Sequence, residues 1–131
     1  MSARSVIEKH YAAGASGNFE IMIEDFSDDI RWREAPGGAY GGTYIGKNNV
    51  IEGVFAKINQ DWEGFGAIPE LIIADEPSGI VAALCRYVGQ NRITGKHIDA
   101  KVVHIWFVQG EKIIAMEQVG DSVEQMKAMQ L

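Results

Sequence analysis

The sequence has one cysteine, three prolines and three histidines among 131 residues, and each scarcity excludes something. Cys85 alone cannot form an intramolecular disulfide, and one Cys with three His falls short of a Cys-rich zinc site. His10, His97 and His104 show no metal-ligand spacing, and Cys85 follows the apolar run 80–84 without a paired His-Asn motif, as a buried inert thiol would. Positive charge is scarce too. Twelve Lys and Arg stand against 18 Asp and Glu, a net charge of −6, and no basic cluster marks a nucleic-acid surface. The acidic stretch 20–34 reads as a solvated face that repels anionic partners. No apolar run approaches the ~20 residues that cross a bilayer, and the opening MSARSVIEKHYAAG has no signal-peptide core. A cytoplasmic protein without membrane or nucleic-acid partners is expected. There is no GxxxxGK[ST] and no GxGxxG after a strand, so a phosphate-cradling glycine motif is absent.

What is present is 47% apolar residues in a chain of one-domain length, 1–131, with no repeat or linker. Ser5-Val6-Ile7-Glu8 fits a capping box, and Val6, Ile7, His10 and Tyr11 recur at helical spacing until Gly14 and Gly17. Asn18 caps a second short helix with Phe19, Met22, Ile23 and Phe26 on one face. Residues 30–34 alternate with period two, a short strand. Five glycines among residues 37–46 read as a loop. A third helix follows from about Asn49, with Val50, Ile51, Val54, Phe55 and Ile58 on its apolar side and Gly53 weakening it by ~1 kcal/mol relative to Ala.

Four strand-like runs come next, near 63–75, 79–90, 99–109 and 111–120, joined by turns short enough to make neighbours antiparallel. A last helix is capped at Asp121, with Val123 and Met126 as its apolar points. The class is α+β, helices on one face of a curved antiparallel sheet. In 102–108 both faces are apolar: Val102, Trp106 and Val108 on one, Val103, Ile105 and Phe107 on the other. One domain has one core, so the second face lines a pocket or meets a partner.

The residues Tyr11, Phe26-Ser27-Asp28-Asp29-Ile30-Arg31-Trp32, Gly42-Thr43-Tyr44-Ile45-Gly46, Thr94-Gly95-Lys96, Val103-His104-Ile105-Trp106, Gly110-Glu111-Lys112-Ile113 and Gln118-Val119-Gly120-Asp121 cover nearly the whole chain. In that order they resemble the nuclear transport factor 2-like superfamily, and within it the SnoaL-like and ketosteroid isomerase-like proteins. The resemblance implies a cone, a curved sheet wrapped around the N-terminal helices in a cystatin-like α+β roll, with an apolar cavity at one end. It also implies a homodimer through the outer sheet face. Chemistry is less constrained, because this fold carries isomerases, cyclases, epoxide hydrolases and non-enzymes.

Glu34 shares a strand face with Ile30 and Trp32. If Trp32 points inward, so does the carboxylate, and beside an indole its pKa would rise toward that of a base working near neutrality. The alternative is a solvated strand-end Glu paired with Arg31 or Arg33, which lie on the opposite face. The resemblance places the isomerases' general base at Glu34 and their phenolic donor at Tyr11, where an enolate oxygen would gather charge. Their second donor, a protonated carboxylic acid, falls on Val103 or His104. Neither is a carboxylate, so His104 either replaces that donor or is a hydrogen-bonded sheet histidine.

Met116 and Gln118 share the strand face that lines the pocket in the relatives. Gln118 stands near the acid of epoxide-hydrolase-like relatives and cannot take a proton. Asp121 lies where cyclase-like relatives use an aspartate, although its context makes it a helix cap. The expectation is a binder of an apolar carbonyl compound, without metal or organic cofactor. Glu34, Tyr11, His104 and Asp121 are its candidate catalytic groups, and Trp32, Trp106, Met116 and Gln118 would contact the ligand. Isomerisation or aldol-type cyclisation by proton transfer is one outcome. A non-catalytic binding or dimerisation module is the other.

Overall fold

A computed structural model describes all residues, Met1–Leu131. Helix α1 (Ala3–Ala15) buries Ala3, Val6, Ile7, His10, Tyr11 and Ala13, a stripe at the three-to-four-residue spacing of one helix face. Its cap is Ser2 rather than Ser5. The Ser2 hydroxyl accepts from the Ser5 N–H at 3.1 Å, and the Glu76 carboxylate accepts from the N–H groups of Ala3 and Arg4 at 2.8 and 3.1 Å. A distant acid therefore replaces Glu8 in satisfying the first orphan donors, which no local pattern encodes. Asn18 caps α2 (Phe19–Met22) as its sequence suggested.

Strand β1 (Phe26–Glu34) begins earlier than the alternation indicated, and the glycine-rich loop contains a short strand β2 (Gly42–Ile45) paired with it. Helix α3 (Lys47–Val50) runs through a π-helical turn (Ile51–Phe55) into α4 (Ala56–Asp61). Then come the long strands β3 (Trp62–Asp75), β4 (Ile80–Asn91), β5 (His97–Gln109) and β6 (Lys112–Gly120), and α5 (Ser122–Met129). The six strands form one curved, unclosed sheet in the order β2-β1-β6-β5-β4-β3. Every pairing is antiparallel except β1 with β6, which run parallel because the helices between them return the chain to the same end.

The register explains the two apolar faces. On the inner face Trp32 pairs Met116, Met116 pairs Trp106, and Trp106 pairs Val81, one continuous row across four strands. That row packs on α1 in a core that also holds Val6, Ile7, Ile30, Val50 and Val54. The inner side of β5 is thus 102, 104, 106 and 108, as the alternation indicated, with Val108 half-buried against the core. The bulge lies on β6, where the extra residue Ile114 turns outward between the Phe107–Ala115 and Val108–Ile113 pairs. On the outer face Leu71, Leu84, Val103 and Val119 are successive partners across β3, β4, β5 and β6, with Leu71 53% and Val119 67% exposed.

The last helix differs from its expected pattern. Val123 and Met126 face outward, and α5 buries Gln125 and Ala128 instead. Ala128 joins a second cluster with Tyr40, Trp62, Ile98 and Ala100. Tyr40 is buried despite its place in the glycine-rich loop, because its hydroxyl donates to Asp61 at 2.7 Å and accepts from the Trp62 indole at 3.0 Å.

Candidate functional site

Between the inner sheet face, α1 and the π-helical turn lies a cavity of about 690 Å³ lined by 23 residues, 16 of them hydrophobic. Its aromatic wall is continuous. Trp32 packs edge-on against Phe55 at 5.3 Å and Trp106 at 5.5 Å, and Trp106 meets the His10 ring at 4.7 Å. The π-helical turn supplies Ile51, Val54 and Phe55, and α4 adds Ile58 and Asn59. Phe65 and Tyr87, 5.0 Å apart, lie against the β3–β4 side.

Glu34 belongs to this wall. Period two carries it to the same face as Ile30 and Trp32, and it is only 6% exposed. The Trp32 indole N–H donates to its Oε1 at 2.9 Å. Arg31 and Arg33 are exposed on the opposite face and form no ion pair with it. Burial pushes the Glu34 carboxyl up to about 7, with the Trp32 indole and the Gln118 amide pulling the other way. Desolvation wins because two neutral donors do not replace the hydration of a full charge.

A hydrogen-bonded chain crosses the inner face from α1 to β6. Tyr11 Oη lies 2.6 Å from His104 Nδ1, and Tyr87 Oη lies 2.8 Å from His104 Nε2. The Trp106 indole donates to the Tyr11 oxygen at 2.9 Å, and the Gln118 amide donates to the Tyr87 oxygen. Gln118 Oε1 in turn accepts from the Ala35 N–H at 2.9 Å. Register builds this chain, since His104 pairs with Gln118 on one side and Ala83 on the other, one row along from Trp106.

Burial, with a small addition from His10, lowers the His104 pKa to about 3 and keeps the ring neutral. A neutral imidazole has one N–H and one lone pair. It therefore accepts the proton of one phenol and donates to the oxygen of the other. Each phenolic oxygen already accepts an indole or amide N–H, so one phenolic O–H is left unclaimed by His104. Tyr11 and Tyr87 both border the cavity, and burial holds both phenols well above their ordinary range.

The structure brings Glu34, Tyr11, His104, Trp32 and Trp106 together around one cavity. The other candidates lie outside the cavity lining, Gln118 reaching it through Tyr87 and the Glu34 carboxyl. Met116 is buried in the core beneath the two indoles, Gln118 borders a separate small recess of about 20 Å³, and Asp121 lies at that recess with its Oδ1 capping α5 through the Glu124 N–H at 3.1 Å. Cys85 is buried beside Tyr11. No group of three or more His, Cys, Asp or Glu side chains is close enough to hold a metal ion.

Sequence reasoning missed Tyr87, Phe65, Asn59 and the cavity role of His10. The signal for Tyr87 was in the strand period, because Val81, Ala83, Cys85 and Tyr87 form one inward run. No signal pointed to Phe65 or Asn59.

Residues 7–116 match the family described as SnoaL-like domain. An NTF2-like protein from Burkholderia thailandensis E264 superposes with a TM-score of 0.93 at 28% identity, covering 100% of this chain and 99% of that one. TerC, co-crystallised with polyporic acid, matches at TM-score 0.84 and 20% identity over 97% of each chain. A protein with a ketosteroid isomerase-like fold from Catenulispora acidiphila, in complex with trimethylamine, matches at 0.78 and 15%, over 94% of this chain and 90% of that one. No curated protein matches the sequence.

Proposed function

The chain belongs to the SnoaL-like domain family, and from that premise we propose that it binds an apolar carbonyl compound and moves a proton on it, as an isomerase or a polyketide cyclase-like enzyme without a cofactor. The observation that carries this reading is the Glu34 carboxyl, 6% exposed in the wall of an apolar cavity that Tyr11 and Tyr87 also border.

A carboxyl with a pKa near 7 is divided between its two protonation states at neutral pH, so it both takes and returns a proton. In the proposed step Glu34 removes the proton from the carbon next to the carbonyl. The C–H pair becomes a carbon–carbon double bond, and the carbonyl π pair moves onto oxygen. The unclaimed phenolic O–H donates to that oxygen. Return of the proton to another carbon gives isomerisation, and attack of the enolate carbon on a second carbonyl gives cyclisation. The apolar wall supplies binding at roughly 25 cal/mol per Å² buried. His104 acts through Tyr11 and Tyr87 as a positioning residue, since both its ring nitrogens are engaged.

That engagement favours a second reading, a ligand-binding module without turnover. The experiment is exchange of the acidic C–H protons of 2-tetralone in deuterated water, followed by mass spectrometry. Saturable exchange that Glu34→Gln abolishes, with 2-tetralone affinity unchanged, supports the enzyme. Binding without exchange leaves the module. The outer row Leu71, Leu84, Val103 and Val119 supports a homodimer, because a solvated sheet needs no aliphatic row on its outward side.

A further inference from the structure

His10 is the cavity's one histidine with a ring nitrogen that the protein leaves unpartnered. Its Nδ1 lies 2.8 Å from the Met22 carbonyl oxygen. A carbonyl can only accept, so Nδ1 carries the proton and Nε2 carries the lone pair. No protein donor reaches Nε2. Nε2 is not among the sealed side-chain polar atoms that lack a partner, of which Ser27 Oγ is the one. His10 is 8% exposed and borders the cavity. Phe26 stacks on the ring at 5.8 Å, and Tyr11 and Trp106 meet it edge-on, so its orientation is fixed from three sides.

We infer that His10 Nε2 is a hydrogen-bond acceptor for the cavity's ligand, and that this ligand carries an O–H or N–H group on its apolar frame. Burial lowers the His10 pKa to about 4, which keeps that lone pair available at neutral pH. Together with the phenolic donor, the wall then matches a hydroxylated carbonyl compound, such as a phenolic ketone or the enol of a 1,3-dicarbonyl. The carbonyl half of that class rests on the proposed function. The hydroxyl half rests on His10 alone.

The test compares 2-naphthol with 2-methoxynaphthalene, which differ in the ability to donate, by calorimetry on the full chain. The wild type should bind 2-naphthol roughly tenfold tighter. The preference should vanish in His10→Phe and return in His10→Gln, whose amide can donate to Met22 while its oxygen accepts. Nitrogen-15 spectra of the wild type give a readout that needs no variant: the His10 Nε2 resonance should move toward the hydrogen-bonded position on adding 2-naphthol only. Absence of 2-naphthol binding, equal affinities, a preference that survives in folded His10→Phe, or an unmoved Nε2 resonance would each overturn the inference. The comparison of the two naphthalenes involves no proton removed from carbon, so failure of the proton-transfer reading leaves this result intact.

Discussion

Trp32 and Glu34, two residues apart on β1, share one face of the strand, and the indole N–H of the first donates to the carboxyl of the second at 2.9 Å. The apolar body of Trp32 dries the carboxyl that its polar edge orients. One side chain thus raises the proton affinity of Glu34 by desolvation and limits that rise by hydrogen bonding.

The buried titratable groups set the pH dependence of stability. Glu34 is raised from 4.5 to about 7, so between those values the native state holds a proton that the unfolded chain lacks, and stability grows as pH falls through 7. His10 and His104 are lowered from 6.5 to about 4 and about 3, so below 6.5 the unfolded chain takes up two protons that the native state refuses. From pH 6.5 to about 4.5 the net difference is one proton, about 1.4 kcal/mol lost per pH unit. Glu34→Gln removes the opposing contribution and should make that acid slope about twice as steep. Urea unfolding between pH 5 and 8 measures it, and equal slopes in the two proteins would count against a dry Glu34.

Tyr11→Phe removes one phenolic proton and the acceptor of the Trp106 indole. The expected outcome is about 10²-fold slower carbonyl exchange and a loss of about 1–3 kcal/mol in urea unfolding. A folded variant with full exchange would transfer the donor role to Tyr87.

Gly53→Ala runs against helix propensity. Propensity alone favours Ala by ~1 kcal/mol, yet a Cβ at Gly53 would lie 2.6 Å from the Tyr44 ring. Tyr44 is tethered by its hydroxyl to the Tyr40 carbonyl at 2.8 Å, so the ring cannot swing away freely. Net destabilisation of about 1–3 kcal/mol is expected from the thermal midpoint. A rise in melting temperature would show that the ring yields.

Leu84→Glu places a charge at the centre of the outer aliphatic row, between Leu71 and Val103. Light scattering should show the wild type as a dimer and the variant as a monomer. The same mass for both proteins would remove this face as the interface.

Much of the architecture was legible in the residues themselves. Period two in the long strands, the turns at Gly79, Gly95 and Gly110, the Asn18 and Asp121 caps and the stripe of α1 are local, and local chemistry selects them. The inward aim of Glu34 follows from the same period once Trp32 is inside. Other features depend on partners far along the chain. Glu76 reaches the start of α1, and β1 lies parallel to β6. The register of β4, β5 and β6 sets Tyr87, His104 and Gln118 in one hydrogen-bonded line. His10 read as an ordinary helix-face residue until the Met22 carbonyl took its Nδ1 proton. Sequence period fixes which side a residue faces. Long-range pairing decides what it meets there, because a hydrogen bond needs two atoms within about 3 Å and no local pattern measures that distance.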